Sequence, residues 1–425
     1  MTRAGAGYSP PADIRPLRPD DGLEAQLDLS VRAFGPSDEV TRTRRLAAVE
    51  EAVAGGRCYA AFDGPRAVAA AEFNDMRQWW HGRPVRMAGV GGVTVAPEER
   101  GRGVGRALMA ELLRVIASRG YPLSALYPAT APIYRSLGWE LAGGLYRAVI
   151  PARSLASLLP ASVAAGSPAA ATPAAGSPPD PPPGLRRAGP GDAEHVIAVI
   201  GAVHESAGHC GPMTSDAAAV RRWLSDEGLY SYLAADGFLA YGWHDGNREI
   251  MVRMALAGSA PTTRALWSVV GSHSSIAERV LAVLAPDDPV GWLTREPDVG
   301  LAERWPWMLR VVDAPAAVSG RGFPAAAELT VTVRLDDAQL PRNAGLWALR
   351  VDGGRGSLEP FITQGGAPLP PAGPVTLGAR GFAALYAGVP MATLRGAGLA
   401  AGGDAAADEA LDCAFAASAF MLYAF

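Results

Sequence analysis

Met87–Arg119, MAGVGGVTVAPEERGRGVGRALMAELLRVIASR, is the stretch that decides the fold. It opens as a strand: Val90, Val93 and Val95 are β-branched, and no charge interrupts Met87 to Ala96. Pro97 ends that run. Helical spacing takes over, with Val104, Leu108, Leu112 and Val115 on one face and Arg106, Glu111 and Arg114 off it. Between strand and helix lies Arg100-Gly101-Arg102-Gly103-Val104-Gly105. Glycines there admit a ligand close to the backbone, and the first turn of the helix leaves amide N–H groups unpaired. Such a helix start attracts an anion such as a pyrophosphate, and the arginines beside it add charge-assisted hydrogen bonds.

Dinucleotide and nucleotide-triphosphate loops share this physics. This loop lacks the Lys-Ser/Thr ending of the latter, and Arg106 stands where the third glycine of the dinucleotide fingerprint belongs. It does fit Arg-x-x-Gly-x-Gly at the end of a Val-x-Val strand, and so resembles the acetyl-CoA site of GCN5-related N-acetyltransferases. Further on, Ile133-Tyr134-x-x-x-Gly138-Trp139 matches the (Leu/Ile)-Tyr-x-x-x-Gly-(Phe/Trp) signature after the fifth strand of these enzymes. The resemblance places Val93, Thr94 and Val95 along the pantetheine arm. It places Arg100, Gly101, Arg102, Gly103, Val104, Gly105 and Arg106 around the pyrophosphate, and Ala129 and Thr130 near the thioester. It also makes Tyr134 the general acid, with Tyr127 on the preceding strand as its rival. A phenol of pKa ~10 is protonated at neutral pH and can donate to a departing thiolate.

The chain has 425 residues, enough for two or three domains. Hydrophobic residues make up 49% and charged residues 19%, the balance of a globular protein. A net charge of −4 argues against a general nucleic-acid binder. All 38 basic residues are Arg, which excludes a Schiff-base lysine. Cys58, Cys210 and Cys413 are too few and scattered for a disulfide framework, so a reducing cytoplasm is expected. Neither a signal peptide nor a membrane-spanning helix is read in the sequence.

Alternating strands and helices give an α/β domain over 1–159. Residues 160–184, PASVAAGSPAAATPAAGSPPDPPPG, form a Pro/Ala/Gly linker. Directly after it, Leu185-Arg186-x-x-x-Pro190-x-Asp192 echoes Ile14-Arg15-x-x-x-Pro19-x-Asp21. A second, degenerate copy of the fold is therefore expected over 185–306, without an Arg-x-x-Gly-x-Gly. From Trp307 the texture becomes strand-rich and then helical, ending in apolar Phe420–Phe425, which should pack inward.

Two acetyltransferase folds followed by a sterol-carrier-like α+β domain over 307–425 resemble the Eis (enhanced intracellular survival) family along the whole chain. That resemblance implies that the terminal carboxylate, here that of Phe425, reaches the first domain's active site and acts as general base. An α-carboxylate of pKa ~3.3–3.7 is a weak base, so burial or a relaying water must help it. Ala424 leaves no acidic side chain beside the terminus. The family further implies a homo-oligomer, a hexamer, and amine acceptors such as aminoglycoside-like polyamines or lysine side chains. Neither nucleic acid, membrane nor metal is expected as a partner. His204, His209 and Cys210 have ligand-like spacing but lack a fourth ligand. The competing function is an apolar-ligand carrier built on the third domain with a vestigial acetyltransferase site.

Overall fold

The computed structural model describes residues 13–21, 23–36, 38–158, 184–214, 216–362 and 372–425. The expected linker lies outside the described residues save for Gly184. The first domain runs β1 (Asp13–Pro16), α1 (Leu23–Phe34), α2 (Glu39–Ala54), β2 (Cys58–Asp63), β3 (Arg66–Trp80), β4 (Arg83–Val95), α3 (Val104–Ser118), β5 (Leu123–Leu126), α4 (Ala131–Arg135) and β6 (Glu140–Pro151). Val104, Leu108, Leu112 and Ile116 of α3 are buried against Val90 of β4 and Phe73 of β3. Gln78-Trp79-Trp80 reads in sequence as a connection, but it completes β3, and the turn is His81-Gly82 alone. Trp80 is fully buried and packs on Trp307 and Tyr386, so it covers the third domain and lines no cleft.

The second domain contains β7 (Arg186–Arg187), β8 (Met213–Thr214), β9 (Tyr230–Ala234), β10 (Gly237–His244), β11 (Glu249–Ala257) and β12 (Arg279–Leu284), with helices Ala193–Ser206, Ala217–Leu224 and Ala260–Gly271. The octet echo has a physical content. Arg15 holds Asp21 through two hydrogen bonds of 2.7 Å, and Arg186 holds Asp192 at 3.0 and 2.6 Å, each pair clasping the entry to a helix. The helix that occupies the place of α3 in this copy starts differently. Its N-cap Ser259 accepts from the Thr262 N–H, whereas Gly103 before α3 caps nothing with a side chain.

A boundary at 306/307 does not hold. Strand β13 (Gly300–Val311) runs straight through it, pairing antiparallel with β6 along its length and with β5 over Met308–Val311. One sheet therefore spans both copies, in the order β1-β2-β3-β4-β5-β13-β6-β12-β11-β10-β9-β7. Beyond the junction the strand is apolar and buried, at Trp307, Met308, Leu309 and Val311, whereas Gly300–Pro306 is exposed and held by its pairing with β6.

The third domain has a five-stranded sheet of β14 (Leu329–Asp336), β15 (Gly345–Asp352), β16 (Arg355–Pro360), β17 (Val375–Gly378) and β18 (Ala400–Ala401). Helices Ala314–Gly320, Ala379–Tyr386, Met391–Gly396 and Ala405–Phe415 cover it, and β19 (Phe420–Met421) leaves it to pair parallel with Gly144-Leu145 of β6. Among the described residues no helix is long and apolar enough to cross a membrane.

Arg310 of β13 joins this domain to the first. Its guanidinium donates to both Asp337 carboxylate oxygens at 2.6 and 2.7 Å and to the Leu137 carbonyl at 3.1 Å. Asp337 also accepts from the Leu340 N–H and from Asn343. A buried ion pair survives when its remaining hydrogen-bonding capacity is met, and breaking one partner leaves an uncompensated charge. Asp337→Ala should therefore lower stability by about 3–5 kcal/mol, read as a shifted denaturant midpoint.

Candidate active site

Strands β4 and β5 run parallel from Met87↔Leu123 to Val90↔Leu126 and then separate. Two features drive them apart. Pro128 has no N–H to continue β5. On β4 the register with β3 shifts between Ala70 and Glu72, so that Gly92 and Val93 stand against Ala71 alone. This is a bulge, with Gly92 at φ +59°, and it bends β4 where a ligand would lie between the parted strands. Val93 and Val95 pack toward α3. Thr94 is buried with its hydroxyl donating to the Ala70 carbonyl, so only its backbone faces ligand chemistry.

Below the bulge the loop turns into α3 through Gly101 (φ +76°) and Gly103 (φ +82°). A Cβ at either would meet nothing within 4 Å, so backbone conformation and not crowding selects glycine. Gly105 differs: its Cβ would come within 3.0 Å of Val95 and 3.4 Å of Ile133, closing the space between strand, helix and α4. Val104 is buried, with its backbone at the helix start. The arginines are partly engaged. Arg102 donates to Glu99 at 2.7 Å, Arg106 to the Ser136 hydroxyl at 3.2 Å, and Arg100 to the Val95 carbonyl at 3.4 Å. This uncapped, glycine-lined helix start fits a pyrophosphate.

Ala129 and Thr130 are exposed just before α4, and Tyr134 is buried within it. Burial pushes the Tyr134 phenol up to about 12. Gly138, four residues on, has φ +93°, and a Cβ there would lie 2.8 Å from Arg310 Nε. The signature glycine is thus the seat of the Arg310 guanidinium, which holds the tyrosine helix in place.

The C-terminal tail enters this cleft. The Ala419 carbonyl occupies the space where a Cβ of Gly143 would stand, and Phe420 N–H donates to the Cys210 carbonyl at 3.0 Å. Tyr127 donates to the Tyr423 carbonyl at 3.2 Å and stacks edge-on with Phe425, centroids 5.6 Å apart. Burial, followed by the neighbouring Tyr423, raises the Tyr127 phenol far above its ordinary range, consistent with a tail anchor. The Phe425 ring lies over Gly89, and a Phe425 carboxylate oxygen stands 3.9 Å from the Cβ position of Gly91. The Phe425 ring and carboxylate thereby stand beside Gly89 and Gly91, next to the β4 bulge where β4 and β5 part.

Two features escape the motifs. Glu72 of β3, opposite Gly91 in register, holds its carboxyl carbon 3.2 Å from the Cβ position of Gly92. Its only sequence signal is a lone acid inside the apolar run of Ala67–Phe73. A cavity of about 540 Å³ also opens beside the tail, walled by Leu145, Ile200, Trp223, Met254, Trp305 and Leu422–Ala424. His204 and His209 bond to each other, Nδ1 to Nδ1 at 2.8 Å, and burial first, then His209, lowers His204 to about 3. Trp79 of β3 packs on His204, so this pair of histidines lies where the first and second domains meet.

The profile of an acetyltransferase (GNAT) domain matches residues 13–142, a second acetyltransferase (GNAT) domain profile matches 216–311, and a sterol carrier protein domain profile matches 314–423. A GCN5-related N-acetyltransferase from Kribbella flavida shares 40% identity, with 97% of this chain and 98% of that one superimposed at a TM-score of 0.86. Eis1 from Mycobacterium abscessus has the same fold at 23% identity and a TM-score of 0.73, covering 97% and 100% of the two chains. The N-acetyltransferase Eis of Mycobacterium tuberculosis is 26% identical over 310 residues, 70% of this chain and 72% of that protein. An uncharacterized N-acetyltransferase of Streptomyces griseus is 27% identical over 361 residues, covering 77% and 80%.

Tyr127→Phe removes the hydroxyl's hydrogen bonds to the Tyr423 carbonyl and Met421 Sδ while keeping the ring. Carboxypeptidase should then release Phe425 several-fold faster than from the wild type, with the rest of the chain intact by mass spectrometry.

Proposed function

The chain belongs to the Eis-type GCN5-related N-acetyltransferases, and we propose that it transfers acetyl from acetyl-CoA directly to the amine of a small molecule or a lysine side chain. The observation that carries this reading is the terminal carboxylate beside Gly91, next to the β4 bulge where β4 and β5 part. Val93–Val95 would offer backbone hydrogen bonds to the pantetheine arm and an N–H to the developing oxyanion. Arg100–Arg106 would hold the pyrophosphate, with Ala129 and Thr130 beside the thioester. Tyr134 would protonate the departing thiolate, and its raised pKa keeps that proton in place through the neutral range. The Phe425 carboxylate would accept a proton from the amine.

The adjoining cavity supports an acceptor whose amine is carried on an apolar body. Its charged wall residues are Arg147, Arg253 and Asp226, so a polycation such as an aminoglycoside meets two like charges there. The cavity lies against the second domain and the tail, whereas the third domain's core is packed with Phe323, Trp347, Phe382, Tyr386 and Phe415. That placement favours acceptor binding over an apolar-ligand carrier. A homo-oligomer, hexameric by family resemblance, belongs to the same proposal; exposed Trp292 and Leu301 offer apolar surface for it.

The test is CoA release from acetyl-CoA over a panel of apolar amines, polyamines and aminoglycosides. Tyr134→Phe should lower kcat by about 10²-fold with acetyl-CoA affinity unchanged. Removing Phe425 alone should lower turnover by a similar or larger factor while CoA still binds. Full turnover in the shortened chain would reject the tail carboxylate as base. Because Tyr134 stays protonated to about 12, its ionisation should produce no fall in rate between pH 7 and roughly 9.5 in a pH–rate profile.

A further inference from the structure

Glu72 sits where an aliphatic residue would be expected. Its neighbours on β2 and β3 are Cys58, Ala60 and Ala70, buried with Leu29, Val49 and Val53 of α1 and α2. Among the described residues its Oε2 is closed off from solvent and has no hydrogen-bond partner. A carboxyl left this way is costly, since burial without pairing disfavours its charged form. Burial accordingly raises the Glu72 pKa, against the lowering influence of Arg45 and Arg57. No hydrogen bond or ion pair from either arginine to Glu72 accompanies that influence among the described residues; Arg57 instead donates to Glu51.

Register fixes which way the side chain faces. Glu72 pairs with Gly91, and Asn74 with Gly89, so all four lie toward one face of the sheet. The Phe425 ring covers Gly89 on that face, at 2.8 Å from its Cβ position, and a Phe425 carboxylate oxygen approaches Gly91. Gly89, Gly91 and Gly92 leave β4 bare beneath both groups. Two carboxyls, one from β3 and one from the chain end, thus flank a strip of side-chain-free backbone at the bulge.

We infer that Glu72 is a second acidic residue of the acceptor site, one that binds the substrate ammonium and takes its first proton. This rests on the acetyltransfer reading above and deepens it. The proton count requires more than one carboxylate or a relay. An R–NH3+ acceptor loses one proton to become nucleophilic and a second after its nitrogen bonds to the thioester carbonyl carbon. Glu72 receives the first and the Phe425 carboxylate the second. As the C–S bond breaks, Tyr134 gives its proton to the thiolate and regains one from these two groups; the other leaves to solvent. The products are the amide, CoA thiol and one net proton. A carboxyl with a raised pKa is the better-matched base of the two, and it supplies the acidic side chain that Ala424 does not.

The groups facing Glu72 are Cys58 across β2, Arg45 from α2, Arg57, and the tail carboxylate beyond Gly91. Glu72→Gln keeps the shape and removes the charge. It should lower kcat/KM for the amine at least about 100-fold, leave acetyl-CoA affinity unchanged, and abolish the acidic limb of the pH–rate profile. Since the folded pKa lies above the unfolded one, ionised Glu72 destabilises the native state as pH rises, so the variant should melt higher than wild type at pH 8. That gap should close as pH falls to about 4. Unchanged kcat/KM, or a variant that melts lower at pH 8, overturns the assignment. If wild type acetylates no amine in the panel, the acetyltransfer reading fails by itself, and binding decides the rest. Phenethylamine should then raise the melting temperature of wild type but not of Glu72→Gln, and equal shifts in both would refute the site.

Discussion

Strand β6 is where the three parts of the chain are tied together. One edge carries β13 over Gly300–Leu309; the other carries β12 over Tyr146–Pro151 and β19 over Gly144-Leu145. The first domain supplies β6, the second supplies β12, the junction supplies β13 and the chain end supplies β19. Each pairing satisfies backbone groups that would otherwise be an open sheet edge. The first domain alone would expose β5 and β6 where β13 now lies between them. Its fold is thus completed by residues more than 150 positions later in the chain, and the tail is positioned by the same strand that closes the active-site sheet.

The tyrosine helix depends on that arrangement. Arg310 reaches from β13 under Gly138 to the Leu137 carbonyl, and is itself held by Asp337. A second tie runs through Glu140, which accepts from Arg135 of α4 at 2.9 Å and from Arg380 of the third domain at 2.6 Å. The third domain therefore holds the tyrosine helix and carries the tail at once. Neither link needs a ligand in that domain, whose interior is occupied by its own aromatic side chains.

Much of this was legible in sequence because each signal was local. The run from Val90 to Val115 specifies strand, loop and helix by spacing, and the glycines of the loop are required by φ. The octet Leu185–Asp192 announced the second copy because an Arg–Asp clasp six residues apart is a short-range device. What the sequence concealed was long-range. The first half of β13 is exposed along Gly300–Pro306, so it carries no burial pattern to mark it as a strand. Glu72 belongs to no motif, since its meaning comes from a register across β3 and β4 and from a tail arriving over 350 residues later. Trp79 and Trp80 likewise belong to no motif, and their burial comes from second- and third-domain partners.

The two copies also differ in how they treat one helix start. In the second copy Ser259 caps its helix by accepting from the Thr262 N–H, so an orphan amide is already satisfied by protein. In the first, Gly103 offers no cap and its backbone holds the left-handed conformation. An anion gains most where donors are otherwise unmet, so capping by Ser259 removes part of the driving force for a pyrophosphate. The second copy's helices Ala193–Ser206 and Ala217–Leu224 wall the cavity that ends at Leu422–Ala424. The first copy thus keeps an uncapped helix start, and the second supplies apolar side chains around the tail.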